Sequence, residues 1–384
     1  MESLTIPRYD AHLYLVSQQA TPNFVPALGS RFCPNEIVLA VSDDMVELAK
    51  WLEARFGALC IKTSRVRIRD AWDVASIQDA LMQLLIDQGT KVIALNVTGS
   101  TKPMAIAAQE VFRTEGRPIF YVHPQRNEVM PLFSDAGVFQ MQERVTLADF
   151  LGIHGYQITR QDTREFDGRW YLLAEEWIKE VERFADHLRL LNALAQQAKD
   201  GLKSPFPDHR KYPKVWELID KLNLYEIANA SGPNLVFPSE AARFFVNGGW
   251  LELHVARAVE RLAARHGAQG AARSLRVESA GYARNEIDVA ALVHNRLYLI
   301  ECKTRRMQFE SDAAGPGAET LYKLDSLMTL GGLNTRGMVV SFQPLEAWDK
   351  QRASDLRIKV VEGGQLRNIE DHLRNWIGSP SIAA

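Results

Sequence analysis

The sequence predicts an α/β protein in three parts: a Rossmann-like N-terminal domain at 1–142, a helical connector at 143–240 and a C-terminal α/β domain at 241–384. Three observations carry this reading. Near-continuous aliphatic runs alternate with amphipathic segments through residues 12–124; charged helical patterns rich in Trp and Leu take over at 173–199; and from Gly248 a compact helix–strand–strand–helix–strand order begins. Strands that are apolar on both faces belong to a parallel sheet covered by helices on each side.

In the first part the strands are expected at LYLV (13–16), EIVLAVS (36–42), KVIALNV (91–97) and PIFYV (118–122). The helical spacings Met45-x-x-Leu48-x-x-x-Leu52 and Ile77-x-x-x-Leu81-x-x-Leu84-Leu85 fill the gaps between them. The connector contains a polar, Pro-rich linker, KSPFPDHRKYPK at 203–214, with room for a small winged-helix-like insertion at 214–240. In the last part a helix is expected at 250–267, strands at 287–293 and 297–303, a helix at 319–331 and a strand at 337–342. There is no internal repeat and no low-complexity tract.

Composition narrows the function. The 384 residues carry 45 Lys+Arg and 47 Asp+Glu, a net charge of −2, which excludes binding nucleic acid by bulk charge. Cys33, Cys60 and Cys302 are odd in number and far apart, which supports neither a disulfide framework nor a zinc ribbon and fits a reducing cytoplasm. No apolar run is long enough for a membrane span, and the first residues lack a signal-peptide pattern, so a cytoplasmic protein without membrane attachment is expected.

The C-terminal strands carry the clearest chemistry. If His294-Asn295 forms a two-residue turn, Val293 faces Arg296, and five residues back and forward Asp288 faces Glu301. Any even-length loop centred there preserves this register, whereas an odd one separates the two acids onto opposite faces. Facing carboxylates have Cβ atoms about 4.5–5.5 Å apart, close enough to share a hard cation such as Mg²⁺ or Mn²⁺. Period-two alternation puts Lys303 beside Glu301 and turns Cys302 into the opposite layer. Two acids and an ammonium suit metal-assisted phosphodiester hydrolysis, with Asp288 and Glu301 as metal ligands and Lys303 orienting water or stabilising phosphoryl charge. Residues 251–310 hold ten Lys/Arg against seven acids, and Arg257, Arg261 and Arg265 recur every fourth residue on one helical face, so that these, with Lys323, Arg305 and Arg306, are candidate phosphate contacts.

In the N-terminal part, KVIALNVTGSTKPMAIAAQEVF reads as strand, small polar loop and helix, with Thr101 at the cap and Pro103 in the first turn. Its N–H groups and Lys102 favour an anion. The loop matches neither a Walker A nor a dinucleotide motif. Ser17, Gln18, Gln19 and Asn23 after the first strand, and Ser42 after the second, should gather at the same sheet edge, where doubly wound folds bind ligands.

The C-terminal part resembles the PD-(D/E)XK nuclease superfamily, with the same helix–strand–strand–helix–strand order and the D…E-x-K signature in NEIDVAALV and LYLIECKT. The resemblance implies catalytic roles for Asp288, Glu301 and Lys303, and for Glu252 of GGWLELHV as the acid of the preceding helix; the Pro of the signature is absent, since Glu286 and Ile287 precede Asp288. The segments NVTGSTK and LVSQQATPNFVPAL resemble the ligand loops of CARF domains, and with GGWLE and IECK the likeness is to the CARF nucleases of type III CRISPR systems. By that resemblance Asn96, Thr98, Gly99, Thr101 and Lys102 contact cyclic tetra-adenylate, with Ser17 to Gln19 on the opposite rim and Ser100 standing where relatives often have Gly. It further implies a homodimer spanning one ligand, and an activated nuclease acting on single-stranded DNA, RNA or supercoiled duplex. A ligand-responsive regulator that binds without cutting, or a constitutive repair or restriction-type nuclease, are the competing readings.

Overall fold

The computed structural model describes residues 8–123, 125–206, 211–279, 281, 284–304 and 315–378. The first unit runs β1 (Ala11–Leu15), α1 (Thr21–Leu28), β2 (Glu36–Ser42), α2 (Val46–Ala58), β3 (Lys62–Ile68), α3 (Val74–Gln88), β4 (Ile93–Asn96), α4 (Lys102–Thr114) and β5 (Ile119–His123). β6 (Glu128–Leu132) and β7 (Phe139–Gln140) then extend the sheet. The order is β3-β2-β1-β4-β5-β6-β7, parallel through β5 and antiparallel beyond. β1 and β4 are fully buried because helices cover both faces, which is why their sequences are uninterrupted by charge. β3 went unforeseen because it is a half-exposed edge: Arg65 and Arg67 project outward to pair with Glu53 and Asp43.

The chain continues through α5 (Leu147–Ile153), β8 (Tyr156–Arg160), α6 (Gly168–Lys179), α7 (Val181–Gln197), β9 (Lys203–Pro205), α8 (Pro213–Leu224), β10 (Asn229–Ser231), β11 (Asn234–Val236) and α9 (Glu240–Phe244). The last unit comprises α10 (Trp250–Arg265), β12 (Gly270–Ser279), β13 (Arg284–Val293), β14 (Arg296–Lys303), α11 (Pro316–Met328), β15 (Arg336–Ser341), α12 (Ala347–Asp355), β16 (Lys359–Glu362) and α13 (Ile369–Gly378). Its sheet has the order β16-β15-β14-β13-β12-β8.

The stretch 143–240, expected as a helical connector, packs onto the C-terminal unit. β8 is the edge strand of the C-terminal sheet, and the buried faces of α6, α7 and α8 belong to the same apolar core as α10, α13 and one face of that sheet. Within the stretch, β10, β11 and β9 form a small antiparallel sheet beside α8. A second core runs without a break from Tyr14, Phe24 and Phe56 through Phe150 and Leu151 of α5 to Leu297, Leu299 and Leu321 on the other face of the C-terminal sheet. The third lies under α3 and α4. The two main units therefore share apolar surface. Where α2 meets α5, Gly155 has φ +85° and a side chain there would collide with Trp51, while Arg55 donates to the Ala148 carbonyl at 3.2 Å. Among the described residues no helix is long and apolar enough to cross a membrane.

His12 is fully buried in β1 among Tyr9, Phe32 and Phe120, with Nδ1 3.0 Å from the Tyr14 hydroxyl. Burial drives its pKa down to about 3. The unfolded chain protonates this group near pH 6.5 and the folded chain does not, so stability falls as pH drops from about 6.5 toward 3, by up to about 1.4 kcal/mol per pH unit. Urea unfolding of wild type and His12→Phe at pH 7.5 and pH 5 should show a smaller acid loss in the variant; equal losses would exclude His12 as the source.

Candidate functional site

The geometry of the C-terminal site starts at a turn. His294 and Asn295 have φ of +50° and +56°, the left-handed pair that a tight two-residue hairpin requires, and the Asn295 N–H donates to Gln269 Oε1 at 2.6 Å. β13 and β14 consequently pair Val293 with Arg296 through Val289 with Ile300, the register that aligns Asp288 with Glu301. Asp288 Oδ2 accepts the Cys302 backbone N–H at 2.7 Å, and Cys302 points into the opposite, apolar layer. Glu301 is 2% exposed. Lys303 Nζ lies 2.5 Å from Glu301 Oε1, and Lys323 Nζ of α11 lies 3.1 Å from the same oxygen.

Glu252 arrives from α10, whose entry depends on Gly248. That residue has φ +106°, and any side chain on it would strike Thr304, the residue after Lys303. The Ser274 hydroxyl of β12 donates to Glu252 Oε2 at 3.3 Å. The acids feel one another: burial and then the charge of Glu301 raise the Asp288 carboxyl to about 7, and burial and then Asp288 raise the Glu252 carboxyl well above its ordinary value. Burial works against the Lys303 ammonium, but Glu301 and Asp288 outweigh it and its pKa rises. Three carboxylates and two lysines thus meet at one end of a hairpin. Among the described residues no three His, Cys, Asp or Glu side chains already stand at metal-holding separations, and both lysines pair with Glu301.

All four residues singled out from the sequence, Glu252, Asp288, Glu301 and Lys303, are brought together. Lys323, read as a phosphate contact, instead pairs with Glu301; a lysine in a helix carries no sequence signal of its partner. Ser274 was missed for the same reason, since β12 was not foreseen. The arginine row is largely engaged elsewhere: Arg257 stacks on Tyr171 at 4.2 Å and Arg261 pairs with Glu370 at 2.9 Å, because α6 and α13 pack against that face of α10. Arg305 and Arg306 lie outside the described residues.

At the carboxyl edge of the first sheet, Gly99, Ser100, Thr101 and Lys102 face Ser17, with Gln18 and Gln19 exposed beside it. A side chain at Gly99 would press on Ser17 Oγ at 3.0 Å. Thr101 Oγ1 receives the Met104 N–H at 3.3 Å and donates to the Ala71 carbonyl at 3.0 Å, so it caps α4 and anchors the neighbouring loop. Asn23 and Asn96, expected among the ligand residues, are fully buried and hydrogen-bonded to one another. Asn96 Nδ2 donates to the Pro22 carbonyl at 3.0 Å and to Asn23 Oδ1 at 3.2 Å, and its Oδ1 accepts from Thr98 Oγ1 at 2.6 Å. Thr98 Oγ1 in turn accepts the Val122 N–H at 2.7 Å. These residues brace the loop from beneath; around it Gln18, Gln19 and Lys102 are exposed, Ser17, Ser100 and Thr101 half-buried and Gly99 buried. Ser42, buried, donates to Asp44 at 2.5 Å and is likewise engaged.

Gly248→Ala should move the start of α10 away from β14 and lower any activity of the C-terminal site by about 10²-fold, the penalty of misplacing a reacting group by about 1 Å, with the fold retained by circular dichroism. Unchanged activity would show that the position of Glu252 does not matter.

Residues 11–150 match the family model of the Card1 CARF domain and residues 239–379 that of the Card1-like endonuclease domain. No curated protein matches the sequence. Among solved structures the chain is similar to protein VC1899 from Vibrio cholerae, at 29% identity and TM-score 0.86 over 96% of this chain and 98% of that one. It is similar to Can2 from Sulfobacillus thermosulfidooxidans, solved in complex with cyclic tetra-adenylate, at 25% identity and TM-score 0.78 over 97% of this chain and 98% of that one. A type III CRISPR defence DNA nuclease activated by cyclic oligoadenylate shares the fold at 20% identity and TM-score 0.53, over 89% of this chain and 47% of that one. With a Card1 CARF domain followed by a Card1-like endonuclease domain, the chain belongs to the CARF-domain nucleases.

Proposed function

We propose that the chain is a nuclease of the PD-(D/E)XK type that hydrolyses phosphodiester bonds of DNA or RNA and is activated by cyclic tetra-adenylate in type III CRISPR antiviral defence. The observation that carries this reading is the meeting of Asp288, Glu301 and Lys303 on one sheet face, with Glu252 against them, in a chain that also holds a CARF domain. Asp288 and Glu301 would hold Mg²⁺ or Mn²⁺. The donor set fits, since two hard carboxylates face one another and their mutual repulsion, visible in the raised Asp288 pKa, is what a divalent cation relieves. When bound, the cation supplies Lewis acidity and a more acidic water. Lys303 places a fixed positive charge beside the acids, suited to holding the attacking water or the scissile phosphate. Glu252, steered by Ser274, completes the acidic face.

For the ligand, the rim of Ser17, Gln18, Gln19, Gly99, Ser100, Thr101 and Lys102, of which Gln18, Gln19 and Lys102 are exposed, is the contact surface, and the α4 N-terminus with Lys102 favours its phosphates. The complex of Can2 with cyclic tetra-adenylate supports the choice of ligand. A path to the nuclease runs through Gly332, which follows α11 with φ +65° and packs near the Gln18 carbonyl and the His154 ring. A ligand that displaces the 17–19 loop would shift α11 and with it Lys323, freeing Glu301; the ligand must bind the active arrangement more tightly for this to work. A homodimer in a reducing cytoplasm fits the exposed apolar side chains flanking the loop: Trp72 is 71% and Ile106 60% exposed, and the three cysteines are free.

Cleavage of labelled single-stranded RNA, single-stranded DNA and supercoiled plasmid, with Mn²⁺ or Mg²⁺ and with or without cyclic tetra-adenylate, tests the reading. Ligand-dependent cutting should fall at least about 10³-fold in Asp288→Ala while ligand affinity stays, and Lys102→Ala should weaken ligand binding about tenfold. Cutting retained in Asp288→Ala would refute the site; ligand binding without cutting of any substrate would favour a regulator. Sedimentation equilibrium should give a dimer for wild type and a monomer for Trp72→Glu, and a dimer in both would move the interface elsewhere.

A further inference from the structure

At the other end of the catalytic hairpin the two domains enclose a second, basic cleft of about 580 Å³. It lies between β6–β7 of the CARF sheet and the 293–296 turn, five residues from Asp288 along β13, or roughly 17 Å at about 3.4 Å per residue. Arg126, Arg144, His266, His294 and Arg296 line it, with Glu128 as the acid among them. The decisive side chain is Arg296. It is only 6% exposed, yet among the described residues its guanidinium has no hydrogen-bond or ion-pair partner. Arg336 stands next to it: burial and then the charge of Arg296 lower the Arg336 pKa, and Arg336 spends its own Nη1 on the Trp376 carbonyl at 3.0 Å. Arg144 is tied by Nη1 to the Gly267 carbonyl at 2.5 Å, and Arg126 reaches Glu128 only at 4.0 Å.

A mostly buried arginine with no counter-charge beside it has only solvent to satisfy it, and a second arginine next to it favours an anion in the cleft. Guanidinium geometry selects a planar or tetrahedral oxyanion that can accept two parallel N–H bonds. The cleft is larger than one oxyanion needs and of the size that holds a small organic ligand. Its lining also includes apolar Met141 and Val293 and the amide of Gln142, a surface that suits a flat polar ring. We propose that this cleft binds a phosphate-bearing ligand of nucleotide size, with the phosphate on Arg296. The phosphate has two possible sources, a free nucleotide or the phosphorylated end of a nucleic-acid strand. Neither requires the metal site or the CARF loop, so the proposal stands apart from the function given above.

The test uses the full chain without divalent metal and without cyclic tetra-adenylate, titrated with 5′-UMP, with a short 5′-phosphorylated oligouridine and with its 5′-hydroxyl counterpart. UMP avoids the adenine preference expected of the CARF site. Saturable binding is expected for wild type, weakened at least about tenfold in Arg296→Gln. The exposed Arg126→Ala keeps the test decisive if Arg296→Gln fails to fold, with about threefold weaker binding and a reduced salt dependence expected. Equal affinity for UMP and the phosphorylated oligouridine assigns the site to a free nucleotide; tighter oligouridine binding that is lost with the 5′-phosphate assigns it to a strand end. No saturation by UMP or by the phosphorylated oligouridine, or the same affinity in wild type and both variants, would overturn the proposal.

Discussion

The whole catalytic arrangement hangs on one hairpin register. A two-residue turn with both residues left-handed leaves β13 and β14 no freedom to slip, because a shift of one residue would send Asp288 and Glu301 to opposite faces. Asn295 favours that conformation intrinsically, and Gln269 locks it by accepting its backbone N–H. Once the register is set, period-two alternation delivers Lys303 to the acidic face and Cys302 to the core without further instruction. The parallel pairing of β14 with β15 then seals the inner edge, aligning Glu301 with Val339 and Lys303 with Ser341.

Charge crowding is the second constraint. Placing Glu252, Asp288 and Glu301 in a poorly solvated corner is unfavourable, and the structure meets the demand with two lysines, a backbone N–H and a serine hydroxyl. Lys323 is the more exposed of the two lysines, its side chain 43% exposed, and it rides on α11, after which Gly332 lies near the Gln18 carbonyl and the His154 ring. A salt bridge at that position couples the state of the site to the placement of one helix. The shared apolar core around α5 gives the same coupling a mechanical basis, because neither unit can shift without disturbing packing in the other.

Much of this was legible beforehand, and the reasons differ from residue to residue. Asp288, Glu301 and Lys303 could be placed because strand alternation and a short turn are local rules. Glu252 came from the resemblance and depends in space on Gly248, whose positive φ and contact with Thr304 are invisible in a linear reading. Asn96 and Asn23 show what a linear reading omits: small polar residues at a strand end signal a ligand or a brace alike, and their burial and mutual hydrogen bond arise only in the fold. β3, β8 and β12 escaped notice because edge or irregular strands mix charged and apolar residues, which blurs the apolar run.

The sequence by itself determined the α/β class, the parallel character of the first sheet, the catalytic register and the residue types that gather there, since each follows from patterns spanning fewer than about 20 residues. Tertiary structure alone decided that the stretch before α10 joins the nuclease fold through β8, that Lys323 holds Glu301, that Arg257 and Arg261 of α10 engage Tyr171 and Glu370, and that Arg296 stands buried and unpartnered among the described residues in a cleft between domains. These are contacts between residues far apart in the chain. Their energies come from burial and charge in a shared environment, which no local pattern encodes.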